Sequence, residues 1–362
     1  PVRGRAGDVS GSALPAASTG PTSPLGAAFR EYGVSLCVFA LLAIVPLLGF
    51  LGPEGFVLPL VTRMMILALA AISLDFILGY GGLVSFGHAA FIGIGAYVTG
   101  IMITEGQADA LVILPVVIGI SALFAFVTGI VCLRTSGVYF IMITLAFGQM
   151  VFFAASSLSA YGGDDGLTLW DGAVLFGSDV LSDDRGLFYI TLVVLIAGFL
   201  LVQAVIGSRF GRVLRAAREN ETRTATLGFD VFRVRLTAYV IAGSIAGLAG
   251  FLLTCQAEFV SPAAMAWQRS GELIIMVVLG GMGTRTGALL GAIAFGLLEH
   301  ILSDITHDWK LIFGPLLVII VLFSRGGLSA LLQRIVGSGV RVCSDSADRR
   351  SLQELRCADR QR

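Results

Sequence analysis

Apolar runs of about twenty residues recur along this chain, and they determine its solvent. A helix that spans a bilayer needs about 20 mostly apolar residues. Such runs, or shorter ones near that length, occupy 34–51, 61–79, 88–104, 111–132, 138–157, 187–207, 236–255, 271–283, 287–302 and 311–324. Only 13% of the 362 residues are charged, against about 25% in soluble domains. The runs are continuous rather than alternating, which excludes barrel strands. The expected fold is an all-α, polytopic transmembrane helical bundle of about ten spans. The pair 271–283 and 287–302 is short and brackets Gly280, Gly281 and Gly283, so a broken or re-entrant element is expected there.

The polar remainder divides the chain. Residues 1–30 are rich in Pro, Ala, Ser, Thr and Gly, a composition that cannot bury a core and reads as a disordered cytoplasmic segment. Residues 31–332 form the membrane domain, and 333–362 form a polar cytoplasmic tail. The first apolar run begins near Val34 and many follow, so the N-terminus is not read as a secretory signal. Cys37, Cys132, Cys255, Cys343 and Cys357 form no C-x-x-C, which indicates neither a zinc site nor a disulfide framework.

Charge sets the expected orientation, because Arg and Lys in short loops stay cytoplasmic. Segment 208–235 carries Arg209, Arg212, Arg215, Arg218, Arg223, Arg233 and Arg235. Segment 159–186 carries Asp164, Asp165, Asp171, Asp179, Asp183 and Asp184 against Arg185 alone. The first therefore lies inside and the second outside, and ten spans put both termini in the cytoplasm. Arg63 breaks the pattern at the outer end of its helix, where it could snorkel.

The loop 208–235 is the most informative stretch. Residues 210–227 can form one amphipathic helix, with Phe210, Val213, Leu214 and Ala217 on one face, arginines on the other and Gly228 as C-cap. So short a helix cannot bury its apolar face alone, so it needs a partner or the membrane surface. The alternative is a solvated basic loop that only enforces topology. A second concentration is glycine: Gly79, Gly81, Gly82, Gly87, Gly93 and Gly95 crowd one region at membrane depth. Glycine at that density breaks a helix, and broken helices at such depth line cavities or solute sites; simple helix packing is the competing reading. Packing is the expectation for Gly243, Gly247, Gly287 and Gly291, which form small-xxx-small pairs. Asp75 and His88 are ionisable residues at membrane depth, with Glu272 and Glu299 nearer span ends. For His88 the alternative is a hydrogen-bonded brace of the broken helix.

Missing motifs also restrict the reading. Lys310, the only lysine, lies between Trp309 and Leu311, so no Gly-Lys-[Ser/Thr] phosphate loop exists. Metal clusters, nucleophile elbows and dinucleotide fingerprints are equally missing, and a net charge of zero gives no sign of a nucleic-acid partner.

One resemblance is specific. Residues 208–221 read SRFGRVLRAARENE and continue to Leu227-Gly228, which resembles the cytoplasmic coupling loop of branched-chain amino acid ABC transporter permeases of the LivM type. The resemblance extends through LGYGGLVSFGHAAF at 78–91, GVYFIMITLAFGQ at 137–149, GGDDGL at 162–167 and GGMGT at 280–284. Departures occur at Asp75, at Thr222, Thr224 and Thr226, and at Gln149. The resemblance implies a non-enzymatic permease subunit in a bacterial cytoplasmic (inner) membrane. Its partners would be a second, related permease in a heterodimer, two ABC ATPase subunits that use ATP and magnesium, and an extracytoplasmic solute-binding protein. The chain itself would hold no cofactor and no metal. Phe210, Gly211, Arg212, Leu214, Arg215, Arg218, Glu219, Asn220 and Gly228 are the implied ATPase-coupling residues. Gly79, Gly82, Ser85, Phe86, Gly87, His88, Thr144 and Gln149 are the expected pathway residues. Inward movement of branched-chain amino acids by alternating access is the expected activity. Urea or short amides are the alternative solutes, and an ion-coupled secondary transporter is the alternative mechanism.

Overall fold

The computed structural model describes residues 24–48, 54–170, 172–174, 180–305, 311–315 and 327–329. Within them the chain is a helical bundle. Helix α1 spans Pro24–Leu48 and α2 spans Glu54–Asp75, the latter running directly into a π-helical turn at Phe76–Tyr80. Then follow α3 (His88–Thr104), α4 (Ala110–Cys132), α5 (Val138–Ser156), α6 (Asp184–Gly207), α7 (Arg209–Glu219), α8 (Glu221–Thr226), α9 (Val231–Ala257), α10 (Trp267–Gly280) and α11 (Gly287–Ile305). Two-residue strands, β1 (Leu167–Thr168) and β2 (Phe259–Val260), pair antiparallel.

Six of these helices are long and apolar enough to cross a membrane: Val57–Tyr80, α4, α5, α6, α9 and Gly287–Asp304. Shorter apolar helices cover Ser35–Pro46 and α3. Each expected run from 34 to 302 thus falls on a helix. The expected run 311–324 lies mostly outside the described residues, as do most of segment 1–30 and the tail 333–362. The pair expected to be broken or re-entrant is an antiparallel hairpin whose first arm, α10, has only 14 residues.

Glycine sets the helix spacing at the centre. Helix α9 packs chiefly against α3 and α4. A side chain at Gly95 would run into the Gly247 backbone, and one at Gly250 into that of Ile92. Gly243 faces Phe91 and Ala125, and Gly291 abuts the Met276 carbonyl. These contacts realise the small-xxx-small expectation, since removing Cβ lets backbones approach. Helix α2 is the most enclosed span, and Met65, Leu69, Leu74, Phe76 and Ile77 are almost fully buried. Helices α4 and α5, by contrast, turn Leu123, Phe126, Tyr139, Met142 and Phe153 outward.

The bundle has two chemically distinct ends. At one lie the π-turn, α7, α8 and the α10–α11 turn, with the arginines of 209–235. At the other lie β1, β2 and the described aspartates Asp164, Asp165, Asp183 and Asp184, where the Tyr161 hydroxyl bonds Glu105 at 3.1 Å.

A candidate docking surface built on the ends of the core helices

Helix α7 exists because its two faces differ. Leu214 and Ala217 are buried, and Phe210 packs on the core, while Arg209, Arg212, Arg215 and Arg218 lie on the exposed face. The single helix expected over 210–227 is two helices. Asn220 leaves the helix at φ −156° and caps α8, its side chain accepting from the Arg223 N–H at 2.9 Å. An asparagine side chain competes with the helix for backbone donors, which favours a cap over a helix interior. Gly228 follows α8 in the left-handed conformation at φ +88°.

The arginines divide into two groups. Arg215, although exposed, reaches back to the core: its guanidinium donates to the Ile206 carbonyl at 2.9 Å and sits 6.0 Å from the Tyr80 ring centre. Arg218 donates to the Gly79 carbonyl. Arg235, mostly buried, bonds Glu221 at 2.8 Å and the Ala217 carbonyl at 3.3 Å. Arg209, Arg212 and Arg223 remain exposed to solvent, as do Glu219 and Asn220. Just after α8, Leu227 is 70% and Phe229 48% exposed, two apolar side chains presented outward.

Arg218 reaches a junction of three segments. Asp75, buried at the end of α2, accepts from the Gly283 N–H at 2.9 Å. Gly79 lies against both Asp75 and Gly283, with no space for a Cβ. Gly283 itself has φ +71°, a conformation that glycine adopts without strain. The π-turn, the α10–α11 turn and α7 therefore meet around one peptide.

The residues expected along a solute path occupy this end and its packing. Gly82, at φ +71°, faces the Arg218 side chain. The Phe86 N–H donates to Thr144 Oγ1 at 3.2 Å, and Gly87 lies against the Thr144 backbone. Ser85 is fully buried. His88 is fully buried, its Nε2 is 2.8 Å from Ser73 Oγ, and its ring meets Phe91 edge-on at 5.6 Å. That is the brace geometry. Gln149 stands half-exposed on α5, next to Gly148, which packs against Gly87. A cavity of about 330 Å³ does open at this end, lined by Gly82, Gly137, Phe140 and the Glu221–Arg235 pair among others. The sequence reading missed the Asp75–Gly283–Arg218 junction. Its available signal was an acid and an arginine at the ends of apolar runs predicted to share one side.

The family described as branched-chain amino acid transport system, permease component, matches residues 56–322. The chain belongs to this family. The permease is 27% identical to the LivM high-affinity branched-chain amino acid transport permease of Salmonella typhimurium, over 81% of this chain and 74% of that protein. It is also 27% identical to BraD of Pseudomonas aeruginosa, a high-affinity branched-chain amino acid transport system permease, over 72% and 90%. The probable LivH permease of Methanocaldococcus jannaschii matches at 29%, over 39% and 48%. No solved structure matches the permease. It is a multi-pass membrane protein.

Proposed function

We propose that this chain is the LivM-type half of the membrane pore of an ATP-driven importer of branched-chain amino acids. Similarity to permeases of high-affinity branched-chain amino acid transport systems supports the solute class. Similarity to both LivM and LivH proteins supports pairing with a second, related permease. The basic end faces the cytoplasm of a bacterium and receives two ATPase subunits, which hydrolyse ATP with magnesium. The acidic end faces outward and receives the solute-binding protein. Both termini are cytoplasmic, and transport proceeds by alternating access.

The observation that carries the reading is the division of labour among the arginines. Arg215 and Arg218 fasten α7 to the ends of core helices, while Arg212, Arg223, Leu227 and Phe229 of the same α7–α8 segment are left exposed. A helix held rigidly to the core yet presenting an apolar knob outward can receive a push and pass it on. Apolar anchors within a polar rim are the usual build of a protein interface. The combined substitution Arg212→Glu and Arg223→Glu touches only the outward group. It should abolish co-purification of the ATPases while membrane insertion and stability stay normal. Full co-purification by this variant refutes the docking surface.

A further inference from the structure

Arg63 takes no part in the contacts described so far. It lies on α2, 16 residues before Gly79, or roughly 24 Å along the axis at 1.5 Å per residue. The hydrocarbon layer is about 30 Å thick, so a charge placed there still lies at membrane depth. Its side chain is half-buried, and no described residue forms an ion pair or hydrogen bond with it. Ionisable residues so placed are costly and mark ligand paths.

Arg63 stands where two cavities meet. The smaller, about 120 Å³, contains Glu299 and His300. The larger, about 350 Å³, lies among α2, α3, α9 and α10. Its lining is apolar at Leu67, Ile92, Leu253 and Met276 and polar at Arg63, Arg269 and Glu272. Arg269 and Glu272 bond each other at 2.8 Å, so Arg63 is the guanidinium of this lining that has no ion-pair partner among the described residues. An apolar cleft with a few fixed polar groups is the general form of a small-molecule site, and a guanidinium fork matches a carboxylate.

We propose that this cavity is a solute station for an aliphatic amino acid within the permease. The carboxylate sits on Arg63, the ammonium faces Glu272, and the hydrocarbon lies on Leu67, Ile92, Leu253 and Met276. The station rests on the importer reading above. A lipid phosphate offers Arg63 the same anionic oxygens, and the experiment separates the two sources.

The test uses the purified permease pair with its ATPases in nanodiscs, without the binding protein, and measures bound radiolabelled leucine. Wild type should bind leucine weakly. 4-Methylpentanoate, which keeps the carboxylate, should compete, whereas 3-methylbutylamine, which lacks it, should not. Arg63→Gln should weaken binding by about tenfold or more, the worth of one charge-assisted hydrogen bond, and Arg63→Lys should recover part of it. Ala264→Trp, which narrows the cavity from a loop, should also reduce binding while the complex stays assembled. Leucine binding unchanged in both Arg63→Gln and Ala264→Trp overturns the station, as does no leucine binding by wild type. A co-purifying phospholipid that Arg63→Gln loses, with leucine binding intact, overturns it too and assigns the cavity to lipid. Failure of the importer reading looks different: the reconstituted wild type, given its binding protein and ATP, takes up no branched-chain amino acid.

Discussion

Arg218 shows how one side chain can serve two levels of organisation. Its stem covers Gly82 and its guanidinium caps the carbonyl of Gly79. That carbonyl lies in the last turn before the helix ends at Tyr80, where carbonyls have no intrahelical partner. Arg218→Ala removes the tether and leaves the rest of α7 intact. Solute uptake by the reconstituted importer should fall about tenfold or more, in line with the ~1.5–3 kcal/mol of a hydrogen bond to a charged group. ATP hydrolysis and ATPase association should persist. Equal loss of both activities would show that Arg218 supports the fold and nothing more. Sequence alone shows an arginine on a polar face. It cannot show that the face curls back onto the core, because that depends on where the α2 end lies in space.

Among elements, the long spans were readable and the joints were not. Apolar length fixes a transmembrane helix almost by itself, so α4, α6 and α9 fall where their runs predict. The division between α7 and α8 required weighing one residue against a continuous amphipathic pattern. Asn220 followed by Glu221 is a cap signature, yet the pattern of Phe210, Leu214 and Ala217 masks it. The glycines of 79–95 admit two readings for a related reason. A glycine announces close approach without saying what approaches, and here it is Arg218, the Gly283 backbone, Thr144 and Gly247. Asn220→Ala removes the α8 cap, worth about 1 kcal/mol. It should fuse or fray the two helices and displace Leu227 and Phe229. ATPase affinity should drop several-fold with little change in the melting temperature of the membrane domain. Unchanged affinity in a pull-down titration would show that the joint does not position the knob.

For the whole molecule, the polarity of the two ends is the property everything else requires. The proposed orientation predicts which surface a membrane-impermeant thiol reagent can reach in intact spheroplasts. Asp165→Cys should label from outside, and Thr226→Cys should label only after the membrane is opened, each measured against the background of the native cysteines. Labelling in the reverse order would invert the protein and separate the basic end from its ATPases. The outward residues Leu123, Phe126, Tyr139 and Met142 of α4 and α5 leave ample apolar area for lipid and for a second permease. That area was legible only as hydrophobicity, since one chain's sequence does not say which of its oily faces meets another protein.

The meeting of Asp75, Gly79, Arg218 and Gly283 has a consequence for how such a protein can be altered. Four positions from three distant stretches of chain share a space with no slack, so none of them can drift independently. A graft that imports only the loop of a relative should yield an inert hybrid wherever the donor differs at 75 or 283. Transplanting the matching positions together should revive it.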